Sequence, residues 1–221
     1  MKFWGKKPEP FDPEAIRARS KAEIVRLGGQ VNEHLPRLEA MPARSGEAIA
    51  GRALVLNALA NLAREAPVSA IREWIVANGL TQSLSPFEAG LLKKPTEDLT
   101  QQELINASWY DEAIYALLWA GGIVEDLPLD AGYPASMLAH VPNVAEDESG
   151  RELLRRVRPR SEAELVATLD LYYCAHWFAR DGGLNGYDVG VFEISRIMER
   201  RKALEWTLDP AADWDDVELS T

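Results

Sequence analysis

The sequence predicts an all-α protein, and three features point there. Apolar residues recur at three- and four-residue spacing through most of the 221 residues. Three capping boxes mark helix starts: Ser85-Pro86-Phe87-Glu88, Thr100-Gln101-Gln102-Glu103 and Ser161-Glu162-Ala163-Glu164. Glycine pairs at 28–29, 121–122 and 182–183 follow helical runs, where chains commonly leave a helix. No convincing strand pair and no repeat of fixed period is visible.

The elements follow in order. Residues 1–12 are rich in proline and lysine and read as an extended arm. A single helical domain is expected over 13–208, and an acidic tail over 209–221. The first helix runs from about 13 to 27 and stops at Gly28-Gly29. The second covers about 46–65, with Ser45 as N-cap and Ile49, Ala53, Leu56, Ala60 and Ala63 as its buried stripe. A third spans about 68–78, and a short one about 86–93. The helix over 101–120 is apolar on every side from Ala113 onward, which makes it the expected centre of a bundle of about seven helices. Four prolines and Glu146-Asp147-Glu148 make 125–160 irregular, with short helical pieces near 135–140 and 150–157. A long helix from Ser161 is expected to end at Gly182-Gly183, and the last helix to cover about 189–208. After Pro210 only Trp214 offers an anchor, so the rest of the tail is expected to be mobile.

Composition narrows the function classes. With 24 basic and 35 acidic residues the net charge is −11, which opposes nucleic acid as a ligand and suits a basic protein partner. The uncharged run from Ala113 to Val124 falls short of the about 20 residues a membrane span needs. Met1 to Lys7 has no apolar secretory core, and Cys174 has no second cysteine to pair with. A cytoplasmic protein is the expectation.

Several segments carry a resemblance: Leu84-Ser85-Pro86-Phe87-Glu88, Trp109 through Pro128 with its core Glu112 to Gly121, and Glu199 through Trp206 followed by Trp214-Asp215-Asp216-Val217. Together with the stretch around Arg52 and the His176-Trp177 pair, they resemble a widespread bacterial family known as a domain of unknown function, the DUF4272-type proteins, over roughly 13–221. The resemblance implies an all-helical bacterial protein and supplies no activity and no cofactor.

Signatures of hydrolases, phosphate-binding loops and zinc proteases are missing. Polar residues on apolar helical stripes are the more informative pattern. Glu112 shares a stripe with Trp109 and Trp119, His176 and Arg180 with Leu169 and Tyr173, Glu199 with Phe192 and Trp206, and Arg52 with Ile49 and Leu56. Should the stripes converge, Arg52, Glu112, His176, Arg180 and Glu199 form one cluster in which two carboxylates balance two arginines, as burial requires. Two readings compete: an ion-pair network that fixes helix register, or a pocket with Glu as base, Arg for an anion and His for proton transfer. No metal is expected, because His34, His140 and His176 are the only histidines and no paired Glu-x-x-His ligands occur. Cys174 and His176 point to different helix faces, so Cys174 reads as a core residue.

The first functional expectation is an interaction protein that meets a basic partner through an acidic face made by residues 143–150 and the tail. An enzyme or small-ligand binder using the Glu/Arg/His cluster is the alternative. A third is self-association, with Trp4 or Trp214 crossing a dimer interface; across these readings the candidate interface residues are Trp4, Trp214, Asp215 and Asp216.

Overall fold

The structure, a computed structural model, describes residues 11–221. Trp4 and the lysines of the arm lie outside the described residues. The helices are α1 (Pro13–Arg26), α2 (Gly46–Ala60), α3 (Val68–Ala77), α4 (Pro86–Leu91), α5 (Gln101–Ala120), α6 (Arg151–Arg156), α7 (Glu162–Asn185) and α8 (Ile194–Leu208). Short 3-10 segments, such as Asn61–Arg64 and Ala135–His140, join several of them. The fold is all-helical. All three capping boxes form in full, each with the hydroxyl accepting from the N3 amide and the glutamate accepting from the N-cap amide.

Helix α5 lies between α2 and α8; α7 packs on α8, and α1 on α7. Every residue from Asp111 to Ala120 is buried, so α5 is the hub that its apolar composition implies. Helix α2 is buried from Ile49 through Ala60, all the way round rather than along one stripe, because α3, α5 and α6 all pack on it.

Three boundaries differ from expectation for local reasons. The second helix stops at Ala60 and tightens into a 3-10 turn, after which Glu65 takes a left-handed φ of 66°. Helix α7 runs straight through Gly182-Gly183 and ends at Gly186, with φ 73°. Gly182 answers a packing demand, since a Cβ there would fall 2.1 Å from Val189 Cγ1. The last helix starts at Ile194, not 189, because Glu193 supplies the N-cap and accepts from the Ser195 and Arg196 amides.

The tail is tied down along its length. Trp214 is 4% exposed and meets Trp206 edge-on at 5.8 Å. The Arg44 guanidinium donates to the Asp209 carbonyl, the Phe87 amide to Asp215 Oδ2, and the Arg201 guanidinium to the Leu219 and Ser220 carbonyls. No helix among the described residues is long and apolar enough to cross a membrane.

Candidate functional site

The five candidate polar residues are distributed over separate centres rather than one cluster. Arg52 on α2 meets Glu88 on α4: its Nη2 donates to both carboxylate oxygens, at 2.7 and 2.6 Å, with both side chains buried. Glu88 also accepts from the Ser85 amide, so one carboxylate closes the capping box and neutralises a buried arginine. Glu112 on α5 pairs with Arg200 on α8, whose exposure is 0%. Arg200 donates from Nε to Glu112, from Nη1 to the Pro128 carbonyl and the Tyr172 hydroxyl, and from Nη2 to the Ala131 carbonyl. The pair therefore welds α5, α7 and α8 to the irregular segment that follows α5.

His176 on α7 faces Arg201, with Nδ1 2.7 Å from Nη1. Burial, with the positive charges of Arg201 and Arg180 behind it, pushes its pKa down to about 4. The ring is neutral at ordinary pH, accepts at Nδ1, and is poorly suited to proton transfer near neutrality. Arg180 is exposed, 3.4 Å from the Thr221 hydroxyl. Arg201 also pairs with Glu205 and lies over Tyr173.

Glu199 stands apart. It is half-buried and makes no hydrogen bond or ion pair among the described residues. Burial raises its pKa to about 7; Glu112 adds to the rise, and Lys202 opposes it. The Tyr110 hydroxyl shares this neighbourhood: burial raises its pKa well above 10, helped by the charges on Glu88, Glu199 and Asp215.

Five buried residues escape a stripe-by-stripe reading. Arg200 and Arg201 lie in a charged run, Glu199-Arg200-Arg201-Lys202, that looks solvent-facing. Glu88 looks fully employed by its capping box. The buried pair Arg17–Asp170, which joins α1 to α7 at 2.7 Å, lies in two weakly patterned helices. The signal that finds them is charge balance: a buried Arg52 or Glu112 demands an opposite partner within reach.

The metal and thiol candidates have their own places. Among the described residues, no group of three His, Cys, Asp or Glu side chains could hold a metal ion. Cys174 is buried in the core, and burial pushes its thiol up to about 12, far from thiolate reactivity. Trp214 is packed inward: Arg52 and Lys202 lie over its ring at 4.9 and 4.8 Å, beside Trp206. Asp215 is tied to α4, and Asp216 is exposed.

A large concave feature lies elsewhere, between α2–α3 and the segment 138–148. Two adjoining depressions of about 900 and 460 Å³ share Asn61, Arg64 and Val144. Glu65, Glu73, Asp147 and Glu148 line them, and Arg64 is the one cation among the lining residues. Arg64 is itself drawn to the buried Asp111, which also accepts from the Tyr133 hydroxyl. Trp74, Ile71, Leu138 and Val141 supply apolar walls. The two non-glycine residues with positive φ among the described residues, Glu65 and Asp147, are both at this groove.

No curated protein and no solved structure matches the chain. A family model does, over residues 16–217, under the description Domain of unknown function (DUF4272). That span takes in the helices, the buried ion pairs and the groove alike, and the chain belongs to this family.

Proposed function

We propose that the protein is an interaction module that takes a basic segment of a partner protein into the groove between α3 and residues 138–148. The supporting observation is the lining: four carboxylates to one arginine, and that arginine already engaged by Asp111. Apolar walls between the carboxylates suit a segment that alternates basic and apolar residues. Two backbone positions held at positive φ on the rim add to the reading, since such conformations cost free energy and gather at binding sites. The loop half of the acidic face is part of this groove, whereas the tail packs on Trp206 and Phe87.

A lysine–leucine alternating peptide, titrated by calorimetry, tests it. Binding should weaken at least about tenfold in the pair Glu73→Lys with Asp147→Asn, and steeply with salt. Asn tolerates the left-handed backbone at 147, so the fold is not strained. Absence of binding, or binding indifferent to both substitutions, overturns the reading.

A second reading, a ligand or catalytic site, rests on Glu199 alone: a carboxyl without a partner among the described residues and poised to titrate near neutrality is a fit general base. Its first test is the stability comparison in the Discussion.

A further inference from the structure

Between α2, the turn before α4 and the tail lies a small cavity of about 230 Å³, lined among others by Arg44, Arg52, Ser83, Ser85, Trp206 and Trp214. It shares no lining residue with the acidic groove and has the opposite donor balance. Arg52 is 3% exposed and already neutralised by Glu88, yet only its Nη2 makes those bonds. Its Nε is buried and has no hydrogen-bond partner among the described residues. A buried N–H on a cation without an acceptor is costly, and native structures keep few of them.

The surroundings are suited to an acceptor. Arg44 spends its donors on the main-chain carbonyls of Trp206, Asp209 and Ala212, which satisfy N–H groups but place no carboxylate in contact with its charge. Its guanidinium lies 4.0 Å over the Trp206 ring, as Arg52 lies over Trp214, so both cations are fixed and partly dehydrated. The Ser83 hydroxyl makes no hydrogen bond among the described residues. It approaches α2 at Gly51, where a Cβ would come within 3.1 Å of its Oγ. The Ser85 hydroxyl accepts from the Glu88 amide and keeps its own proton to donate. The exposed Asp213 also lines the cavity and opposes an anion there.

We propose that this cavity binds a small anion, a carboxylate or a phosphate, that accepts from Arg52 Nε and from the Ser83 hydroxyl beside Arg44. The volume is below the about 300 Å³ at which drug-sized pockets begin, so the ligand is a compact group of few heavy atoms. The net charge of −11 repels anions at long range, so selection has to come from these fixed short-range donors.

The test follows the Arg52 Nε–H resonance of the whole protein by proton–nitrogen correlation, assigned through its contact with the Trp214 ring. Inorganic phosphate and succinate are titrated separately against chloride at matched ionic strength. A saturable shift with either, absent with chloride, supports the site and identifies the group it takes. Ser83→Ala removes one donor, and Gln82→Glu places a carboxylate at the exposed edge; each should raise the apparent Kd about tenfold or more while the fold persists. No saturable shift with either anion, or a shift that both variants leave unchanged, overturns the proposal. Neither outcome bears on the acidic groove.

Discussion

At the scale of single residues, two glutamates on packed helices, Glu112 on α5 and Glu199 on α8, are expected to answer the same substitution differently. Glu112 holds Arg200, a guanidinium with 0% exposure whose remaining donors go to two carbonyls and a tyrosine hydroxyl. Glu112→Gln keeps the shape, removes the countercharge, and should cost about 3–5 kcal/mol in urea unfolding. Glu199 holds nothing among the described residues, and its charged form is disfavoured by burial and by Glu112. Glu199→Gln should therefore leave stability at pH 8 unchanged or raise it. A loss comparable to that of Glu112→Gln would make Glu199 a hidden structural partner and remove the case for a functional carboxyl. A gain would mark a residue retained at some cost to folding, as functional residues often are.

At the scale of elements, the adjacent glycines 182 and 183 separate two causes that a sequence presents as one. Both are inside α7. Gly183 has open space around it, so Gly183→Ala should stabilise by about 0.5–1 kcal/mol through helix propensity and the unfolded chain. At Gly182 a Cβ meets Val189 Cγ1 at 2.1 Å and Tyr187 at 3.0 Å, so Gly182→Ala should destabilise by about 1–3 kcal/mol despite the same propensity gain. Thermal melts of the two variants check both signs. The same distinction explains what was legible in advance. Helix starts were legible because a capping box is local: Ser85, Thr100 and Ser161 specify their own hydrogen bonds. The central position of α5 was legible because a helix apolar on all faces has nowhere else to go. The course of α7 past its glycine pair was not, because the reason for Gly182 is a residue seven positions on, brought back by the turn at Gly186. In the polar interior, Arg52, Glu112 and His176 are buried, whereas Glu199 is half-buried and Arg180, on the stripe of His176, is exposed. The partners of the buried three, Glu88, Arg200 and Arg201, depend on how helices distant in sequence are docked, and periodicity within one helix carries no information on that.

At the scale of the whole molecule, the buried His176 and the half-buried Glu199, displaced in opposite directions, should make the stability profile flatter than either alone would. His176 titrates near 4 in the folded protein against about 6.5 when free, so the unfolded chain binds the extra proton. Its contribution is complete above 6.5 and is lost as pH falls toward 4. Glu199 titrates near 7 against about 4.5, so the folded chain binds the extra proton. Its contribution is complete below 4.5 and is lost as pH rises toward 7. Between about 4.5 and 6.5 each state holds one proton on this pair, on Glu199 when folded and on His176 when unfolded, and the two slopes cancel. Single variants should expose them. Relative to wild type, Glu199→Gln gains stability as pH rises from 4.5 to 7, by up to about 3 kcal/mol. His176→Asn keeps an acceptor for Arg201 near the Nδ1 position, and relative to wild type it gains as pH falls from 6.5 to 4. Urea midpoints collected from pH 4 to 8 for wild type, both single variants and the double variant test the balance. If the two differences run in the same direction, or neither changes with pH, the assigned ionisation states of these two side chains are wrong, and the case for Glu199 as a titrating base fails with them.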